Sequence, residues 1–164
     1  MLVFSLVKRE KITFGAGCFW GIEESFRKLD GVLKTTVGYS GGNFENPTYK
    51  DVCSGKTGHV EVVQIEYDPN IINFKELLDK FWKIHDPTTL NRQGIDRGDQ
   101  YRSIIFYHNV DQKKKAIESK RKLEESNKFI NSIVTEISLI CSFYPAEEYH
   151  QKYIKKKNSI SSIY

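Results

Sequence analysis

The chain predicts an α+β fold, a two-layer sandwich with a ferredoxin-like mixed or antiparallel sheet, helices packed against it and extra C-terminal elements. Three observations predict it. The segments read in the order β-α-β-β-α-β-α-β, which opens as a split βαβ unit. The helical segments carry apolar stripes at i, i+3 and i+4, and the strand segments are short, the first three closing at or just before Gly or Pro. No repeat, Pro-rich linker or low-complexity block interrupts residues 1–164, so they read as one domain. About 155–164 reads as a flexible tail.

Each element follows from local pattern. The apolar start, residues 1–7, lacks a basic region and a small-residue cleavage site. It is also much shorter than the roughly 20 residues of a membrane span, so it reads as a first strand or packed arm, and the chain as cytoplasmic. Lys11-Ile12-Thr13-Phe14 reads as a strand closing at Gly15 and Gly17. Phe19, Ile22, Phe26 and Leu29 then share one face of a helix that Gly31 terminates. Val32 to Tyr39 is a second strand, turned by Ser40-Gly41-Gly42-Asn43. His59 to Tyr67 is a third, ended by Asp68-Pro69-Asn70.

Asn73 to His85 is the clearest helix, with Phe74, Leu77, Leu78, Phe81 and Trp82 on one face and an Asn73/Glu76 capping box at its start. Asp86-Pro87 stops it. A polar loop from Thr88 to Gln100 leads to a strand at Ser103 to Tyr107. A charged helix over Asp111 to Asn127 turns Ala116, Ile117 and Leu123 inward. Ile133 to Ile140 is a last strand, and Pro145 opens a short helix through Ile154.

Composition sets the class of function. The surplus of four positive charges is small and spread over runs such as Lys113-Lys114-Lys115 and Lys155-Lys156-Lys157, the pattern of a solvated surface rather than a nucleic-acid face. Three cysteines, Cys18, Cys53 and Cys141, form no CxxC pair. An odd, scattered set argues against a disulfide framework, a zinc site and a thioredoxin-type motif. The four histidines show no ligand spacing with them, so no metal and no bound cofactor are expected.

Chemistry concentrates at two positions. Cys18 falls between a Gly-rich strand end and the first turn of a helix, where unsatisfied N–H groups and the positive dipole end are expected to lower a thiol pKa. Glu61 shares a strand face with Val63, Ile65 and Tyr67. An acid on an apolar face is expected to have a raised pKa and to stay protonated as a general acid. Trp20 lies roughly 100° round the helix from the Phe19 stripe, placed to wall a small apolar substrate. Tyr49, Asp96 and Tyr101 lie in polar loops, and His85 reads as a packed, hydrogen-bonded histidine. On these residues alone a thiol peroxidase and a ferredoxin-like nucleic-acid-binding module remain open as alternatives. A peroxidase would need neither the ring pair nor the acid, and the binding module would need aromatics exposed on its strands.

Gly17-Cys18-Phe19-Trp20-Gly21 resembles the signature of the A-type peptide methionine sulfoxide reductases. So do Val37-Gly38-Tyr39-Ser40-Gly41-Gly42, Asn46-Pro47-Thr48-Tyr49 running to Gly58-His59-Val60-Glu61, His85-Asp86-Pro87 through Gly94, Asp99-Gln100-Tyr101-Arg102-Ser103, and Phe143-Tyr144-Pro145-Ala146-Glu147-Glu148-Tyr149-His150-Gln151. These blocks span nearly the whole chain in family order. The resemblance implies reduction of methionine S-sulfoxide, free or in oxidised proteins. It makes Cys18 the nucleophile, Glu61 the acid that protonates the oxygen, Tyr49 and Tyr101 hydrogen-bond donors to it, and Phe19, Trp20 and Asp96 the substrate site. It leaves a Cys18 sulfenic acid for another thiol to reduce.

The tail after Ile154 departs from many family members in having no cysteine. The preferred reading is therefore a one-cysteine monomer recycled by an external thiol such as thioredoxin, glutaredoxin with glutathione, or dithiothreitol. Cys53 is the better internal candidate for a resolving thiol, and Cys141 is expected to be a buried structural residue. Ile95 stands where a polar residue is common.

Overall fold

The computed structural model describes residues 6–162. Strand β1 (Glu10–Ala16), helix α1 (Phe19–Arg27), β2 (Val32–Ser40), β3 (Val60–Tyr67), α3 (Phe74–Lys83) and β6 (Ser103–Tyr107) make the central unit. Between them lie a short helix α2 (Tyr49–Cys53) and a hairpin of β4 (Arg92–Gln93) with β5 (Asp96–Arg97). Helix α4 (Val110–Glu125), β7 (Glu136–Leu139), β8 (Tyr144–Pro145) and α5 (Tyr153–Ser161) complete the chain. The main sheet runs β7-β6-β1-β3-β2-β8. Its central four strands, β6-β1-β3-β2, are antiparallel to their neighbours, the expected ferredoxin-like arrangement. β7 joins one edge parallel to β6, and β8 joins the other edge antiparallel to β2.

Alternation decides which face each strand buries. Ile12, Phe14, Val37, Tyr39, Val63, Ile65 and Tyr67 are buried in one cluster with Phe19, Ile22 and Phe26 of α1 and Leu77, Leu78 and Phe81 of α3. Phe14 stacks between Phe26 and Phe81, with ring centroids 5.4 and 4.7 Å away. Val60, Val62, Ile104 and Phe106 point to the opposite face, where Ile140 and Phe143 cover them. Helix α3 starts with the expected capping box, Asn73 Oδ1 accepting from the Glu76 N–H and the Glu76 carboxylate accepting from the Asn73 N–H. His85 behaves as a packed histidine, its Nδ1 2.7 Å from the Phe81 carbonyl and its Nε2 2.7 Å from Ser103 Oγ.

The structure corrects several boundaries. The arm expected at residues 1–7 falls mostly outside the described residues, and Leu6 and Val7 lie exposed outside any strand. Ile117 is 49 % exposed rather than inward, since α4 buries a narrow stripe around Gln112 and Ala116. The last predicted strand shrinks to β7. The helix expected from Pro145 to Ile154 is replaced by β8, a 3₁₀ turn at Glu148–His150 and then α5. The segment is tied to β2 instead: β8 pairs with Gly38 and Tyr39, and the Gln151 amide donates to the Val37 and Ala146 carbonyls and accepts from the Val37 N–H. Most of the tail expected to be flexible, 155–161, is part of α5.

Candidate active site

Register brings the chemistry-bearing residues to one end of the sheet. Ala16 at the end of β1 pairs with Ser103 at the start of β6, and Glu61 near the start of β3 pairs with Tyr39 near the end of β2. Cys18 follows β1 directly as the N-cap residue of α1, half-buried and with a free thiol. Gly17 makes that turn with φ +94°, and a Cβ there would come within 2.8 Å of the Gln93 side chain. A glycine is therefore required both by conformation and by the close approach of the β4–β5 hairpin.

The helix start does what the sequence predicts, but it does not win. The Trp20 and Gly21 N–H groups favour the Cys18 thiolate, yet burial outweighs them, and the Glu61 and Asp96 charges add to it, pushing the thiol up to about 11. The expectation of a lowered thiol pKa is thus overturned, because desolvation of a half-buried sulfur exceeds one helix end. At neutral pH the resting group is a thiol.

Glu61 is 2 % exposed and points to the apolar face with Val63 and Ile65, as its place in the alternation predicts. Burial pushes its carboxyl up from the ordinary 4.5 to about 7, and Asp96 pushes the same way. Two donors oppose this. The Gln100 side-chain amide donates to Oε2 at 2.9 Å, and the Phe19 backbone N–H donates to Oε1 at 3.3 Å. The second bond sets the acid directly against the Cys18–Phe19 peptide.

Aromatic rings surround this pair. Phe19 is 1 % exposed, its ring in the core beside Tyr39 and His150. Trp20 is half-buried and outside the stripe, stacked on Tyr153 at 3.9 Å, with its Nε1–H donating to His150 Nδ1 at 2.9 Å. His150 packs against Tyr49 at 4.6 Å, and Glu147 accepts from the Tyr39 hydroxyl and from the Tyr49 N–H. The C-terminal segment therefore holds the ring wall in place. Its histidine and glutamate stand in the last motif block of the sequence without an assigned role, because only the fold brings them back to α1.

Tyr49 and Tyr101 are half-buried around the same carboxyl. Burial, then the neighbouring Cys53 thiol and the Glu61 charge, push Tyr49 up, while burial and the Glu61 and Asp96 charges bring Tyr101 to about 12. Both hydroxyls are neutral donors at physiological pH. Asp96, at the hairpin beside Cys18, is half-buried, and Ile95 next to it is almost fully exposed. Cys53 ends α2 with its sulfur 3.5 Å from the Gln100 amide nitrogen, so it borders the site. Cys141 is exposed rather than buried, a correction to its expected structural role. It lies just beyond β7, whose last residue pairs with Tyr107, at the end of β6 opposite Ser103 and the site.

Gln100 is the site residue that local pattern did not reveal. It lies in the 3₁₀ turn Asp99–Tyr101, inside a stretch that reads as polar loop, yet it is 5 % exposed. Among the described residues, no group of three or more His, Cys, Asp or Glu side chains is placed to hold a metal ion. No helix among them is long and apolar enough to cross a membrane.

Residues 10–164 match the family model described as peptide methionine sulfoxide reductase. The chain is 62 % identical over 151 residues to the peptide methionine sulfoxide reductase MsrA of Methanothermobacter thermautotrophicus, covering 92 % of this chain and 89 % of that one. Its fold is similar to the crystal structure of reduced Mxr1 from Saccharomyces cerevisiae, with a TM-score of 0.87, 42 % identity and coverage of 92 % and 87 %. The structure of Mxr1 in complex with Trx2 is also similar, with a TM-score of 0.65, 32 % identity and coverage of 93 % and 89 %. A thiol beside a protonatable buried acid, a ring wall, and near-complete matches in sequence and fold lead to one conclusion: the chain belongs to the peptide methionine sulfoxide reductase family.

Proposed function

We propose that Cys18 and Glu61 together reduce the S-epimer of methionine sulfoxide, within a single catalytic domain. The observation that carries this reading is the Phe19 N–H to Glu61 bond, which sets a proton donor of pKa about 7 against the peptide of the thiol residue. The activity, peptide methionine sulfoxide reduction, is that of relatives matching nearly the whole chain.

The step balances as follows. Glu61 gives its proton to the sulfoxide oxygen while the Cys18 sulfur attacks the sulfoxide sulfur. The proton lost by the thiol returns to the carboxylate, so the S–H adds across the S=O bond. Collapse transfers oxygen to Cys18: the substrate sulfur is reduced by two electrons to methionine, and Cys18 is oxidised to a sulfenic acid. Protonation is essential because an unprotonated sulfoxide oxygen is a poor leaving group. The raised thiol pKa fits a site in which both protons are held until the substrate arrives. As the Glu61 charge raises the Cys18 pKa, keeping that carboxyl protonated also makes the thiol easier to ionise.

Tyr49 and Tyr101 supply neutral donors for the sulfoxide oxygen, and Trp20 forms the wall for the S-methyl group, with Phe19 beneath it. Asp96 is a polar member of the same site. An external thiol then attacks the sulfenic sulfur, releasing water and forming a mixed disulfide, and a second thiol frees Cys18 as a thiol. A dithiol protein of the thioredoxin type is the proposed reductant, supported by the solved complex of yeast Mxr1 with Trx2. Cysteines with no disulfide among them are consistent with work in the reducing cytoplasm.

The test offers each epimer of an N-blocked methionine sulfoxide with excess dithiothreitol. The S-epimer is expected to turn over, the R-epimer not, and Cys18→Ser to abolish activity. No turnover of the S-epimer by the unaltered protein would sink the proposal.

A further inference from the structure

We propose that Gln100 is the positioning residue that fixes the carboxyl of Glu61 beside Cys18 and stabilises the carboxylate formed when the proton leaves. The inference rests on the reading of Glu61 as proton donor and adds a residue to it. The Gln100 amide has two N–H groups, and both have partners: one donates to Glu61 Oε2 at 2.9 Å, and the nitrogen lies 3.5 Å from Cys53 Sγ. With the amide reversed, its carbonyl oxygen would face a carboxylate oxygen. The donor orientation is thus the one an ionised Glu61 selects, and the Cys53 sulfur, a weak acceptor, supports it.

The backbone carrying Gln100 is held from several sides. Gly98 enters the 3₁₀ turn with φ +134°, and its N–H donates to the Asn91 carbonyl at 2.9 Å. Arg102 clamps the other end, its Nη1 donating to the Asp99 carbonyl at 2.9 Å and to the Gly58 carbonyl at 3.2 Å. Gly58 leads into β3, so one guanidinium ties the turn bearing Gln100 to the strand bearing Glu61. An amide delivered by a clamped turn holds the acid without having to be ordered during the reaction.

The Phe19 N–H and the Gln100 amide grip opposite oxygens of the carboxyl. Each oxygen keeps a second lone pair for the transferable proton. Both donors favour the charged form, and they oppose the burial that favours the neutral one. As Glu61 releases its proton, charge grows on the two oxygens that these N–H groups already face. Removing Gln100 would leave burial less opposed, making Glu61 a weaker acid and less well aimed.

The test follows Glu61 directly. In a Cys18→Ser background labelled at the glutamate carboxyl carbons, the titration of Glu61 is recorded by carbon NMR with Gln100 present and in Gln100→Met and Gln100→Glu. The midpoint is expected to move up by about half a unit or more in the methionine variant and further in the glutamate variant. With Cys18 restored, single-turnover reduction by Gln100→Met at pH 6 is expected to be roughly tenfold slower. A midpoint that stays put in a folded variant overturns the inference, as does an unchanged single-turnover rate. Failure of the underlying reading looks different: Glu61→Gln would then reduce substrate at the normal rate, while the NMR shift in the Gln100 variants would persist.

Discussion

A single carboxyl, the proton donor proposed above, works against folding. Glu61 is raised from 4.5 to about 7 in the folded chain, so between these values the folded state binds the proton more tightly than the unfolded one. Stability is therefore expected to fall as pH rises from about 4.5 to 7, by up to about 3 kcal/mol for a shift of this size. Glu61→Gln removes this slope. Thermal unfolding from pH 4.5 to 8 should show the two proteins converging at the acid end and the variant gaining on the parent toward the alkaline end. Parallel curves would contradict it. Reduction of the sulfoxide should meanwhile fall by roughly 10²- to 10⁴-fold, the usual contribution of a positioned acid.

Among the elements, α3 links legible and illegible parts of the chain. Its stripe and capping box are plain in Asn73 to His85, because ten residues suffice for a 3.6-residue period to declare itself. The same holds for α1 and for the alternation that puts Glu61 on an apolar face. The β4–β5 hairpin, two residues on each strand, and the 3₁₀ turn carrying Gln100 are too short and polar to show any period. The direction of the Cys18 shift is illegible in sequence for a related reason: a helix end is local and visible, while the burial that outweighs it is tertiary. His85 at the end of α3 gives the element its own pH signature. Burial pushes its imidazole down to about 4, so below 6.5 the unfolded chain takes up a proton that the folded one refuses. Stability is expected to fall by up to about 3 kcal/mol from pH 6.5 to 4. In denaturant melts, His85→Gln should start lower at pH 7 and lose less over that interval.

For the whole molecule, the fold separates the three thiols by place. Cys18 and Cys53 border the same site, and Cys141 lies beyond the far end of β6. The single-domain, one-cysteine reading therefore makes a clear forecast for recycling. Cys141→Ser and Cys53→Ser should each keep turnover with dithiothreitol within about twofold, and mass spectrometry after one reductant-free turnover should find a single added oxygen at Cys18. A Cys18–Cys53 disulfide would instead assign the resolving role to Cys53. Family membership was legible at this scale because its blocks run the length of the chain. The assembly that joins them was not, since Trp20 meets His150 across 130 positions of sequence.

That span has a consequence in time as well as space. A ribosome adding about 5–20 residues per second makes Cys18 on the order of ten seconds before it makes the histidine and tyrosine that brace Trp20. Until β8 and the turn behind it dock on β2, a nascent chain has Cys18 but not the finished wall beside it. The site is completed late in synthesis, when the four central strands that carry it have already been made.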